Sequence, residues 1–281
     1  MFVGKGWKMK RRDLLLAGSG LATIITVGTS DTIAAMPKSS GQSPRKGQMV
    51  KLDAKLSGYY VAPTGTKPAP AVIVIMEAFG LNDNIKGVCD RLAQNGFAAL
   101  APDIYHGAVF PYTDQKSAVS KLKTLQDDGV MAEIGKGIQF LTQQKTVKPG
   151  GVGVIGFCMG GRYTFLASAV HAQQVKAAVS YYGGGIASAP DPLGRKALLD
   201  KVGQIKAPIM LMYGSEDSYI LAEEHERIAL ALSKAKKQYS MNVFAGAGHG
   251  FLSDRRDSYN KPAAEEAWAM TISFFNRHLG T

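Results

Sequence analysis

The chain has 281 residues, 46% of them hydrophobic, enough to bury the core of one large α/β domain or two smaller ones. Its formal net charge of +11 includes five cations against two acids within residues 1–35, and the remaining lysines are scattered. No zinc-finger or helix-turn-helix spacing occurs, so no nucleic-acid partner is expected, and two distant cysteines, Cys89 and Cys158, make no disulfide framework.

The N-terminus reads as a targeting segment. Lys10-Arg11-Arg12-Asp13 precedes a modest apolar run, Leu14 to Val27, too short to span a bilayer stably. Thr32-Ile33-Ala34 offers a small-x-small cleavage pattern. Residues 1–35 are thus similar to a bacterial twin-arginine signal, which exports folded proteins to the periplasm. A retained arm on a cytoplasmic protein is the alternative, and Met9 is a second candidate start. Residues 36–49, rich in Pro, Ser, Gly, Lys and Gln, read as a linker, and the folded domain is expected over 50–281.

Leu56 to Val61 is a short strand candidate. Ala71 to Met76 is apolar throughout, as expected of a strand covered on both faces, and it ends at Glu77-Ala78-Phe79-Gly80. Asn82 to Asn95 carries Ile85, Val88, Leu92 and Ala93 at helical spacing, with Cys89 as a packing residue. Phe97 to Leu100 is the next strand, and 108–120 reads as an irregular segment able to overlie a pocket. One or two helices fill Ser120 to Gln144, and Val147 to Gly150 reads as punctuation. An apolar strand then runs into Gly156-Phe157-Cys158-Met159-Gly160-Gly161 and a helix to Ala172. Further strands are expected at Val175–Tyr182, Pro208–Tyr213 and Tyr239–Phe244, with helices at Ala222–Lys237 and Pro262–His278. This alternation predicts an α/β fold: a mostly parallel central sheet flanked by helices on both faces.

In such a sheet ligands bind beyond the C-terminal strand ends. Glu77, Cys158 and Asp217 each follow a predicted strand, and His249 lies in the loop after another. The order nucleophile, acid, histidine is that of the α/β-hydrolase fold. Cys158 stands at the apex of a strand–turn–helix, where helix-start amides favour a thiolate. His249, in Gly248-His249-Gly250, is the candidate base, and Asp217 its orienting acid, with Glu216 as neighbouring competitor. The N–H groups of Met159 and Ala78 are candidate oxyanion donors. Glu77 is placed to accept a proton from the thiol or to hold it at rest. Tyr105 and His106 sit on the same rim and are candidate substrate-lining residues; His171, His225 and His278 fall in predicted helices. The plain alternative makes Cys158 a buried structural thiol and the others turn, cap or surface residues. No metal-ligand spacing and no nucleotide motif is present, so neither metal nor cofactor is expected.

At these residues the sequence resembles the dienelactone hydrolase family, over about residues 50–280. The landmarks are Glu77-Ala78-Phe79-Gly80-Leu81-Asn82, Ala101-Pro102-Asp103-Ile104-Tyr105, Gly156 to Gly161, Tyr181-Tyr182-Gly183, Gly214-Ser215-Glu216-Asp217 and Gly248-His249-Gly250-Phe251. The resemblance implies a monomeric α/β-hydrolase with a Cys158-His249-Asp217 triad and Glu77 holding the resting thiol. It further implies opening of an enol-lactone (dienelactone, carboxymethylenebutenolide) through a Cys158 acyl-enzyme. Members bind the substrate carboxylate with two arginines. Here those regions read Tyr105-His106-Gly107 and Phe251-Leu252-Ser253, with Arg255 and Arg256 slightly later, so neither matches by position. The alternatives are a related cysteine-dependent esterase, thioesterase or peptide-bond hydrolase, and a non-catalytic α/β binding domain.

Overall fold

A computed structural model describes residues 47–188 and 191–280, so the signal-like stretch 1–35 lies outside the described residues. Eight strands form one sheet in the order β1-β2-β4-β3-β5-β6-β7-β8. They span Gln48–Lys51 (β1), Ser57–Val61 (β2), Ala69–Ile75 (β3), Ala98–Pro102 (β4), Val147–Phe157 (β5), Val175–Tyr181 (β6), Ile209–Gly214 (β7) and Tyr239–Phe244 (β8). β2 is antiparallel to β1 and β4, and the remaining neighbours are parallel. The expected α/β-hydrolase architecture is therefore present.

The apolar run of β3 is buried along its whole length, because helices cover both faces of the sheet there. Helices α1 (Asp83–Gln94) and α6 (Lys261–Leu279) pack together, with Arg91 over the Trp268 ring and Phe97 against Phe275. Helices α3 (Asp127–Gln143) and α4 (Met159–Val170) pack on each other and on β5. Asn82 caps α1 by accepting from the Ile85 N–H, and Asn260 caps α6 by accepting from Ala263. α4 is buried on all sides from Met159 to Ala169, which its small and apolar residues permit. Helices α2 (Gln115–Leu122) and α5 (Ala222–Lys234) complete the set.

Three elements depart from expectation. α2 begins at Gln115, inside the stretch read as irregular, where the Asp114 side chain caps it by accepting from the Ser117 N–H. β1 begins inside the stretch read as linker; it is an exposed edge strand with no apolar alternation, held by its ladder to β2. Its entry is pinned where the Gly47 N–H donates to the Tyr59 hydroxyl and to Asp90. β5 starts at Val147, within the expected punctuation, and a bulge between its two pairings with β3 absorbs the extra residues.

Candidate active site

Register alone brings the rim residues together. Ile75 of β3 pairs with Gly156 of β5, so Glu77 and Cys158 lie two residues beyond paired positions on adjacent strands. Gly214 of β7 pairs with Phe244 of β8, and the loops that follow carry Asp217 and His249.

Cys158 sits between β5 and α4 at φ 55° and ψ −115°, a conformation that L side chains rarely adopt. Such strain costs about 1–3 kcal/mol and needs tight surroundings. Gly160 supplies one: a Cβ there would meet the backbone carbonyls of Ile75 and Met76. The turn is fixed by Cys158 N–H donating to Tyr181 O at 3.0 Å and Gly161 N–H donating to Cys158 O at 3.0 Å. Among the described residues, the N–H groups of Met159 and Ala78 have no acceptor, and both residues line the cavity that holds Cys158. Met159 opens α4, where a first-turn amide has no partner within the helix.

Nδ1 of His249 lies 2.8 Å from Oδ2 of Asp217. The other carboxylate oxygen of Asp217 accepts from the N–H groups of Tyr219 and Ile220, so the acid is fixed before it meets the ring. Glu216 is exposed and takes no part in this network. On its other side the imidazole interacts with Cys158. Burial pushes the Cys158 thiol up, but the nearby His249, helped by Arg256, outweighs it and holds the thiol below its usual value. Burial pulls His249 down, while Cys158 and Asp217 push it up to about 10. Each group thus favours the charged form of the other.

Glu77 is fully buried, and burial raises its pKa against the opposing effects of Arg256, Tyr112 and His249. Its Oε2 accepts the Tyr112 hydroxyl at 2.8 Å. Its Oε1 has no hydrogen-bond partner and faces Nη1 of Arg256 at 3.7 Å. Glu77 acts on Cys158 as a charge that raises the thiol. Gly250, at φ +81°, leaves the space that the Arg256 guanidinium fills. Tyr112 lies in the segment read as irregular, and nothing in its local pattern marks it. Arg256 was visible as a displaced cation, although its reach back to Glu77 was not.

Two expected lining residues lie elsewhere. Tyr105 is buried beneath Met159, its hydroxyl 3.5 Å from the Met159 sulfur, and it does not line the cavity. His106 is turned outward at φ 54°, with Nε2 2.9 Å from Glu133. Cys89 is a buried, free packing residue, as expected.

One buried cation was missed altogether. Arg162, four residues beyond Cys158, donates to both carboxylate oxygens of Asp127 at 2.8 and 3.0 Å, to Gly185 O at 3.2 Å and to Lys196 O at 2.9 Å. It joins α4, which begins beside Cys158, to the start of α3 and to the backbone at Gly185 and Lys196. Among the described residues, no cluster of three or more His, Cys, Asp or Glu side chains is placed to hold a metal, and no helix is long and apolar enough to cross a membrane.

A mostly parallel sheet flanked by helices is the α/β-hydrolase architecture, and the protein is a hydrolytic enzyme. The chain belongs to the dienelactone hydrolase family, whose model matches residues 56–279. It is 33% identical over 231 residues to a Methylorubrum extorquens protein named provisionally as a carboxymethylenebutenolidase, covering 80% of this chain and 78% of that one. It is 32% identical over 274 residues to an Escherichia coli K12 protein of the same provisional name, covering 94% of each. Among solved structures it is similar to a provisionally named dienelactone hydrolase from Klebsiella pneumoniae, with TM-score 0.73, 30% identity, and 79% and 93% of the two chains covered. A dienelactone hydrolase-like promiscuous phosphotriesterase from metagenomic libraries matches with TM-score 0.71 and 25% identity, over 84% and 98% of the two chains.

Proposed function

We propose that the protein hydrolyses carboxylic esters and lactones, enol-lactones of the dienelactone kind among them, through an acyl-enzyme on Cys158. The observation that carries this is the line Cys158, His249, Asp217 beside two free amides in one cavity. The Cys158 thiolate attacks the carbonyl carbon, and the oxyanion accepts from the Met159 and Ala78 N–H groups. The tetrahedral adduct collapses as His249 gives its Nε2 proton to the leaving oxygen. Water then adds to the thioester, His249 takes its proton, and the acid departs from the thiolate. Asp217 keeps the ring in the required tautomer throughout. Glu77 sets the resting thiol through its charge: ionised, it raises the thiol, and protonated, it releases that effect.

Arg256 supports a substrate with a negative group, since its guanidinium lies in the same cavity. Cys158→Ala is expected to abolish turnover of a panel of small esters and lactones that includes an anionic dienelactone. Mass spectrometry of the unmodified protein mixed with substrate is expected to find an acyl adduct on Cys158. Full activity of the alanine variant would sink the reading. A periplasmic site of action is part of the proposal, supported by the Arg11-Arg12 pattern; activity confined to the cytoplasmic fraction of the producing cell would remove it.

A further inference from the structure

We infer that the physiological substrate carries an apolar arm, an aryl ring or a medium alkyl chain, that lies along α2 beside Cys158. This rests on the hydrolase reading above and names the substrate class of the same site.

The cavity that holds Cys158 and His249 has a volume of about 290 Å³. At about 30 Å³ for each water-sized group, it takes about ten such groups, the scissile carbonyl and an arm of about eight carbons among them. Its lining includes Ala118, Val119 and Leu122 of α2 together with Pro192, Leu193 and Ile220. α2 is held in place where the Asp114 side chain accepts from the Ser117 N–H.

Charges in the cavity are few. Arg195 is tied to Asp191 by two hydrogen bonds, 3.2 and 2.9 Å, and is neutralised there. His106, expected on this rim, is turned outward onto Glu133. Among the described residues, Arg256 is the one guanidinium of this cavity with no hydrogen-bonded carboxylate. Its charge is opposed by Glu77, 3.7 Å away, so it can orient one end of a ligand but does not clamp a small anion from two sides.

The rim points the same way. Val119 is 36% exposed and Tyr219 65%, so two large side chains of the lining stand uncovered. Apolar surface of this kind next to a reactive thiol is covered when a ligand of matching chemistry enters.

The test is the specificity constant, kcat/KM, of the purified protein across para-nitrophenyl esters from acetate to decanoate, and across acetate esters of alcohols of increasing length. In at least one series kcat/KM is expected to rise, by at most about fourfold per buried methylene, to a maximum near hexanoate or octanoate length and then to fall. Ala118→Phe, which fills the wall, is expected to move that maximum to shorter chains. Val119→Ser, a milder change at the rim, is expected to lower the hexanoate-to-acetate ratio about threefold. Thermal melting of both variants checks that the fold is intact. Acetate cleavage through Cys158 with a flat or falling profile in both series would overturn the apolar arm and leave the hydrolase reading standing. So would a preference for an anionic dienelactone over hexanoate by more than about tenfold. A protein that cleaves no ester and forms no adduct at Cys158 would overturn both.

Discussion

Oε1 of Glu77 and Nη1 of Arg256 face each other 3.7 Å apart, both buried and neither hydrogen-bonded. The separation is too long for a hydrogen bond and short enough for a strong charge interaction in a site from which water is excluded. Burial raises the carboxyl and the guanidinium holds it back, so the charge on Glu77 depends on Arg256.

Arg256→Met therefore leaves a buried carboxyl with Tyr112 as its one hydrogen-bonding partner. The expected loss is about 2 kcal/mol, or roughly 4–8 °C in Tm. Without the guanidinium the folded-state pKa of Glu77 climbs further above its unfolded value. A carboxyl raised in this way favours folding below the unfolded pKa, and that advantage disappears as pH rises through the folded one. The deficit of the variant is thus expected to grow as pH rises from the ordinary carboxyl value into the neutral range. Thermal melts across that range check it, and Glu77→Gln in the same background is expected to flatten the pH dependence.

Cys158 and His249 each favour the charged form of the other, so the thiolate is expected to react with iodoacetamide at pH values where a free thiol is mostly protonated. The midpoint of alkylation rate against pH is expected below the ordinary thiol value. His249→Asn removes the opposing charge and leaves burial in command, so the midpoint moves up. An unchanged midpoint would mean that the imidazole does not set the thiol. For ester hydrolysis the same pair predicts a bell: activity is lost at low pH as the thiolate gains a proton, and at high pH as His249, raised to about 10, loses one.

Asp217→Asn is expected to lower kcat about a hundred- to ten-thousand-fold, because the amide no longer fixes the tautomer of His249. Glu216→Gln, one residue away and exposed, is expected to stay within about twofold of the starting activity. Steady-state kinetics on one activated ester distinguishes them, and equal losses would remove Asp217 from the triad.

The backbone at Cys158 gives an independent stability test. Cys158→Gly and Cys158→Ala both lose the sulfur, but only alanine keeps a Cβ at φ 55°. The glycine variant is expected to be the more stable by about 1–2 kcal/mol in denaturant melts. A more stable alanine variant would show that the elbow is not strained.

The interior of the sheet was legible because strands covered on both faces must be apolar throughout, as Ala71 to Met76 is. The rim was legible for a related reason: polar residues that close such runs stand at strand ends, where Glu77, Cys158 and Asp217 are found. What was not legible depends on chain reversal. Arg256 comes seven residues after His249, and successive turns, Ser253 N–H to Gly250 O and Arg256 N–H to Ser253 O, curl it back over the site. Tyr112 reaches Glu77 because the Phe110 N–H donates to Phe79 O and draws the irregular segment across the rim. The left-handed backbone at His106 sends its ring the other way, and residue order alone carries no sign of that reversal. β1 was missed because an edge strand of four largely exposed residues has no periodicity to read.

Arg162 fixes which parts of this enzyme are free to vary. It rises from the helix that begins beside the thiol, and its guanidinium grips Asp127 and the carbonyls of Gly185 and Lys196. Gly185, which lines the cavity, is thereby tied to the helix that starts beside Cys158. α2 and the 219–221 segment have no such tether to that helix among the described hydrogen bonds. Change at those two borders then leaves the Arg162 contacts intact, so the cavity can alter its outline there without disturbing the turn at Cys158.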